Sequence, residues 1–385
     1  MPGTSPLQSA EALAPLAAEL AVETERGRAL PQALVDAMRE DGLFHMCLPR
    51  ELGGGEAAPA EMVLALEALA RADGAASWCA MIGSTSSLLG AYLPAEEAAR
   101  VYGGGRTIVG GVFAPRGSAT RTADGYVVSG RWPFGSGIAH SEWMMGGCLV
   151  AGEAGPELLD GGRPDVRLML MPRAQLEVID TWTVMGLCGT GSHDFAVEEQ
   201  PVPAALGVSL FTERPRATGP LYSFPLFGLL AVGICAVALG IARGAIDDLV
   251  ALAAAKRPMP GARALAERGT VQAELARAEA ELRAARAFVL DACREAWQAA
   301  GGGEALADRH RLALRLAATH ATHVAAEVAG SAYRLAGGGA IYASSALQRR
   351  FRDAHVATQH MMVAPATWEL TGRLLLAQPT DTSQL

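Results

Sequence analysis

Between Leu221 and Ala242 the chain carries no charged side chain over 22 residues, a length that could cross a bilayer. Pro225, Gly228, Gly233 and Gly240 interrupt the run, and Asp247 and Asp248 follow it closely, which fits a helix buried in a bundle better than a membrane span. A helix so uniformly apolar must be covered on all sides, within the bundle or between subunits. The downstream sequence offers the covering helices. Val271, Leu275, Leu282 and Val289 mark one face of a long amphipathic helix whose outer face pairs Arg277 with Glu281, and Arg309 to Leu335 and Phe351 to Leu376 supply at least two more.

The first hundred residues are also helical in pattern. Leu30 to Asp41 ends at Gly42, Ala60 to Ala72 carries Met62, Leu64, Leu66 and Leu69 before Asp73-Gly74, and the Cys47 to Gly55 stretch between them reads as a loop. From Thr107 the texture changes to short β-rich runs. Asp124-Gly125 separates Thr120–Thr122 from Tyr126–Val128, a hairpin signal, because this turn needs positive φ at its centre. Trp143–Val150, Val166–Met171, Leu176–Trp182 and Phe195–Val202 add further strands. The expected order is helices, a β-domain, then a helical bundle.

A net charge of -8 gives no basic field for a phosphate backbone, so nucleic acid is not an expected partner. The six cysteines are widely spaced and form no C-x-x-C pair, and Met1 to Leu20 lacks the basic start of a signal peptide. Both features lead us to expect reduced thiols in a cytoplasmic protein. There is no P-loop, no G-x-S-x-G elbow and no G-x-G-x-x-G between a strand and a helix, so nucleotide triphosphate, serine hydrolase and Rossmann nicotinamide chemistry lack support. Ser192-His193-Asp194 reads as a polar turn entering a strand, since adjacent residues cannot form a triad. His320, His323 and Glu327 share a helical face, but no partner helix supplies the ligands of a di-metal site, and no metal is expected. His355 and His360 stand out more. Five positions apart, they point about 140° apart on a helix at ~100° per residue, so one is assigned to chemistry and the other to structure.

The segments Phe113-Ala114-Pro115-Arg116-Gly117-Ser118, Ser129-Gly130-Arg131-Trp132-Pro133-Phe134-Gly135-Ser136-Gly137 and Met185 to Asp194 resemble the successive β-domain motifs of the acyl-CoA dehydrogenase superfamily. Leu48 to Gly54 and Leu66 to Gly74 resemble its N-terminal helical domain, and Gly337-Gly338-Gly339 with Arg349 to Ala354 its C-terminal bundle. The resemblance implies an α+β protein with an N-terminal helical domain (1–105), a central β-barrel or sandwich domain (106–215) and a C-terminal four-helix bundle (216–385). It also implies a homotetramer with flavin clamped between β-domain and bundle.

Dehydrogenases of this superfamily mostly place a glutamate base where Met361 stands here, and a thioether cannot accept a proton. The Trp132–Gly137 motif and the segment from Arg352 to His360 are instead similar to the flavin-dependent monooxygenase branch. That likeness places the Ser136 hydroxyl on flavin N5 and His360 at the reactive flavin edge. It implies further flavin contacts from Phe113, Gly117, Ser118 and Phe134, and from Arg257, Gln272, Gly338 and Gly339, with Trp78, Ser86 and Met361 at the substrate pocket. Two departures accompany it. Ser84-Thr85-Ser86-Ser87 follows Trp78 where many relatives carry a pocket histidine, and Arg257 has lost the following Phe-Gly that grips FAD, which predicts weak, exchangeable binding. The implied activity is hydroxylation of a small aromatic or heterocyclic substrate. Oxygen would react with reduced flavin (FAD or FMN, from a separate reductase) through a C4a-hydroperoxide, with His360 taking or giving a proton. The alternatives are an acyl-CoA dehydrogenase-like flavin dehydrogenase or desaturase, and a non-catalytic binding or assembly homologue.

Overall fold

The computed structural model describes residues 4–255, 263–302, 306–383 and 385. Five helices open the chain: α1 (Pro6–Gly27), α2 (Gln32–Glu40), α3 (Pro59–Ala72), α4 (Gly74–Ser87) and α5 (Ala95–Tyr102). Ser5 and Gln8 form a capping box at the start of α1, satisfying two amides that a helix N-terminus leaves open. Asp73 separates α3 from α4 by accepting the Ala76 amide, so the stop expected at Asp73-Gly74 is also the cap of the next helix.

Eight strands follow: β1 (Val109–Arg121), β2 (Gly125–Gly135), β3 (Trp143–Gly152), β4 (Gly155–Pro156), β5 (Val166–Pro172), β6 (Glu177–Ile179), β7 (His193–Pro203) and β8 (Gly207–Val208). They hydrogen-bond as one connected sheet in the order β6-β7-β2-β1-β3-β5-β8, with β4 beside β3; β1 and β3 run parallel and the other pairs antiparallel. The β1–β2 hairpin turns at Asp124-Gly125 as expected, with Gly125 at φ 158° and Arg121 opposite Tyr126. Trp132 fills the centre of the sheet. It stacks on Phe195 at 5.1 Å, and Gly117, Gly130 and Gly146 have no side chains because its indole occupies that space.

The remaining helices are α6 (Pro220–Ser223), α7 (Leu226–Ala255), α8 (Gly269–Gly301), α9 (Asp308–Ala336), α10 (Ala346–Ala357) and α11 (Ala366–Leu375). The uncharged run becomes the first part of α7, which packs on α3, α4, α8, α9 and α10 and is largely buried inside the protein. Its glycines permit close crossing: a Cβ on Gly240 would lie 2.3 Å from the Glu67 carbonyl oxygen of α3. One hydrophobic core therefore joins the N-terminal helices to the bundle, a second lies on the sheet, and Phe113 packs against both.

Two local expectations need correction. The helix on which His355 and His360 were compared does not reach His360: α10 stops at Ala357, Thr358 Oγ1 bonds the His355 carbonyl, and α11 begins only after Pro365, whose ring and missing N–H disfavour a continuous helix through Ala364. Arg277 pairs with Glu274, not Glu281, while Glu279 of the same helix takes Arg243 and Arg283.

Candidate active site

The site forms where the end of β2, the loop before β7, α4 and the turn after α10 meet. At the end of β2, Phe134 adopts a left-handed φ of 67° and Gly135 is pressed against the His193 carbonyl oxygen and the Phe195 ring, so the chain turns sharply into Ser136. The Ser136 amide bonds the Phe134 carbonyl at 2.8 Å, and the Gly137 amide bonds Thr190 O at 2.9 Å, which ties this turn to the loop before β7. The Phe134 ring is left 65% exposed, with Trp182 edge-on behind it at 6.2 Å.

A buried row of hydroxyls runs from that turn. Trp78 Nε1 donates to Ser136 Oγ (3.3 Å), Ser136 Oγ lies 2.7 Å from Ser192 Oγ, Ser192 Oγ lies 2.7 Å from Thr190 Oγ1, and Thr190 Oγ1 donates to the Leu187 carbonyl at 2.8 Å. Leu187 is itself held in a left-handed conformation (φ 51°), and its amide bonds Asp353 Oδ1 of α10 at 2.6 Å. Gly186 must lack a side chain, because a Cβ would sit 2.6 Å from the Arg352 carbonyl oxygen, and Arg352 also holds the Met185 carbonyl and Glu25 of α1. Burial pushes the Asp353 carboxyl up to about 7 against the pull of the Leu187 amide, and the neighbouring buried Asp73 raises it further. The Arg-Asp of the bundle thus shapes a β-domain loop.

His360 lies on the other side of Trp78, with ring centroids 5.8 Å apart and planes at 62°. It stands in the turn beyond α10, so the helical-angle comparison with His355 does not describe it. Its Nδ1 accepts the Met362 amide at 3.2 Å, which puts the proton of the neutral ring on Nε2. Burial, and then the nearby Arg315 cation, hold the imidazole down to about 4, so it is neutral at pH 7. His355 instead bonds the Phe351 carbonyl within α10 at 2.7 Å, with Nδ1 as donor, and packs on the Phe351 ring at 4.3 Å.

Other expected residues scatter. Gly117 is buried beneath Trp132, Ser118 is exposed on β1, and Phe113 is half-buried. Gln272 lines a groove of about 670 Å³ between α7 and α8 with Arg71, Arg243 and Glu279, none of which belongs to the hydroxyl row. Gly338 and Gly339 lie exposed between α9 and α10, and Arg257 lies outside the described residues. Ser86 is fully buried eight positions along α4 from Trp78, with its carbonyl accepting the Tyr102 hydroxyl and its own Oγ without a protein partner among the described residues. Met361 is 57% exposed. Thr190, Ser192 and Asp353 were not expected from sequence as site residues. The signal for the first two was two hydroxyls alternating with the glycines of Gly189-Thr190-Gly191-Ser192 ahead of a strand, and the expected polar turn conceals Ser192's contact with Ser136. His193 and Asp194 point elsewhere, to the Trp182 amide and to Arg131.

Two family descriptions match the chain: acyl-CoA dehydrogenase, N-terminal domain, over residues 9–96, and acyl-CoA dehydrogenase, C-terminal domain, over 232–365. An indole-3-acetate monooxygenase of Pseudomonas putida is 35% identical over 92% of this chain and 90% of its own length. The oxygenase subunit HsaA, a flavin-dependent monooxygenase of Rhodococcus jostii, is 28% identical over 92% and 93%. Among solved structures, XiaF from Streptomyces sp., in complex with FADH2 and glycerol, superposes with a TM-score of 0.89 at 26% identity, covering 99% of this chain and 97% of that one. Fold, motifs and relatives agree: this chain belongs to the flavin-dependent monooxygenases built on the acyl-CoA dehydrogenase fold.

Proposed function

We propose that the protein is the oxygenase component of a two-component system, which hydroxylates a small aromatic or heterocyclic substrate with reduced flavin, FAD or FMN, delivered by a separate reductase. The observation that carries this reading is Trp78, which bridges a buried serine at the end of the hydroxyl row and a neutral histidine. The residues fit a flavin. Ser136 Oγ keeps one lone pair that no described protein group uses, and the exposed Phe134 ring, held at a strained φ, offers an apolar face beside it. Bound reduced flavin supplies the oxygen-activating chemistry.

The chain's own residues then do three things. Ser136 accepts a hydrogen bond at its free lone pair, Trp78 keeps water from the space between Ser136 and His360, and His360 presents Nε2–H as a donor toward the reacting oxygen. Of the two roles expected from sequence, taking or giving a proton, the hydrogen bonding supports giving, because accepting at Nε2 would move the proton to Nδ1 and break the Met362 contact. Met361, where a dehydrogenase would carry its base, is largely exposed to solvent. We also propose assembly into a homotetramer in the cytoplasm. Ile341 and Tyr342 (66% exposed each) and Leu375 and Leu376 (65% and 72%) leave apolar surface for a partner copy, and all six cysteines are unpaired.

The test supplies chemically reduced flavin and ¹⁸O₂ to the purified protein with indole-3-acetate first, then phenols. One labelled oxygen in an aromatic product is expected; flavin oxidation that yields only hydrogen peroxide with every substrate would defeat the reading.

A further inference from the structure

The hydroxyl row has a direction, and that direction follows from counting protons. The Leu187 carbonyl can only accept, and it takes the Thr190 hydroxyl (2.8 Å), the Thr190 amide (3.1 Å) and Trp182 Nε1 (3.2 Å). Thr190 has one hydroxyl proton, and it is committed there. In the Thr190–Ser192 contact the donor must therefore be Ser192, and in the Ser192–Ser136 contact it must be Ser136. Trp78 Nε1 has no lone pair to offer and approaches Ser136 as a further donor. All three hydroxyls belong to buried residues, so water does not readily supply alternatives. Ser136 is left with its proton spent and one lone pair free: it is an acceptor.

We infer that Thr190 and Ser192 are positioning residues that lock Ser136 as a hydrogen-bond acceptor, so that the site selects reduced flavin, whose N5 carries a hydrogen, over oxidised flavin, whose N5 is itself an acceptor. The inference rests on the proposed meeting of Ser136 with flavin N5 and adds the reason for a preference between oxidation states. Oxidised flavin would place two acceptors against each other, or would force Ser136 to turn its proton away from Ser192 and leave a buried oxygen short of a donor. Reduced flavin loses nothing. The Leu187 anchor reaches the bundle, since its amide is bound by Asp353, so the preference is fixed from two domains at once.

The test compares dissociation constants of oxidised and, anaerobically, reduced FMN and FAD by ultrafiltration, with the midpoint potential of bound flavin as an independent readout. Wild type should bind reduced flavin more tightly. Ser192→Ala frees the Ser136 proton and should narrow the ratio about tenfold, the worth of one neutral hydrogen bond, mainly by tightening the oxidised form. Thr190→Val should act in the same direction but less, because Ser192 can then donate either way, and Thr190→Ser should restore the wild-type ratio. Circular dichroism confirms folding of each variant. If wild type and both hydroxyl-deleting variants bind flavin with the same ratio and potential, the relay is refuted while the flavin reading stands. If Ser136→Ala leaves both unchanged, the N5 contact itself is wrong. Should wild type bind flavin in neither state, both readings fall together.

Discussion

At the scale of single residues, the two histidines expected to divide chemistry from structure sit in different surroundings, for a reason the helical spacing did not contain. His360 sits in a turn, spends Nδ1 on the Met362 amide and faces Trp78, whereas His355 spends Nδ1 on its own helix and stacks on Phe351. His360→Ala should fold, bind flavin and lose product per flavin oxidised by about 10²- to 10³-fold, the usual cost of one donor to a developing charge, with hydrogen peroxide rising to match. His355→Ala should leave that ratio intact and destabilise the protein by about 1–2 kcal/mol through the lost ring contact; a peroxide assay beside a denaturant titration separates the two. Acid should also find this region. His140, buried against Phe44 and near Arg39, is held down to about 4, as His360 is. Both folded values lie below the ordinary 6.5, so the unfolded chain binds more protons below that point; their stabilisation is complete above pH 6.5 and is lost as pH falls toward 4. Asp353, raised to about 7, acts in the opposite sense: its contribution is present below 3.8 and is lost as pH rises to 7. Imidazole proton NMR shifts of His140 and His360 should therefore stay flat from pH 8 to 5.5, and a midpoint near 6.5 for either would contradict the burial argument.

At the scale of elements, backbone approach decides more than side-chain chemistry. Helix α7 crosses α3 so closely that Gly240 meets the Glu67 carbonyl oxygen, the Ala70 Cβ and the Arg71 amide. None of these can swing aside as a long side chain would. Gly240→Ala gains helix propensity yet should lower stability by about 1–3 kcal/mol, because the helices must separate and the core between them loosens. Gly244 on the same helix is the contrast. A Cβ there would meet only the guanidinium end of Arg350, which can move, although its bond to Asp248 at 2.5 Å would then be disturbed. Thermal unfolding of both variants should rank Gly240→Ala as the more damaging, and the reverse ranking would show that the α3–α7 contact is pliable.

For the whole molecule, the surface of the C-terminal helices sets the expectation. Apolar side chains exposed at Ile341, Tyr342, Leu375 and Leu376 are costly on an isolated chain and favour burial between copies. Sedimentation equilibrium at micromolar concentration should give a particle of four chains, and replacing Leu375 and Leu376 together by Ser should shift it toward smaller species. A stable wild-type monomer would overturn the assembly.

The sequence by itself determined what local periodicity can encode. A 22-residue stretch without charge had to be covered, and α7 is. Asp124-Gly125 had to turn, and the β1–β2 hairpin turns there. Motif likeness also brought Ser136, Trp78 and His360 forward together, and the fold sets them in one row. Tertiary structure alone decided how those residues connect. Trp78, Ser136, Ser192, Asp353 and His360 come from separate segments, and no pattern with a period of two or 3.6 residues relates them. Their contacts depend on which backbones can approach, at Gly186 against Arg352 and Gly240 against Glu67, and on where α10 ends. The direction of the hydroxyl row needs even more, because a hydroxyl can give or take a hydrogen bond and only a fixed neighbour, here the Leu187 carbonyl, determines which.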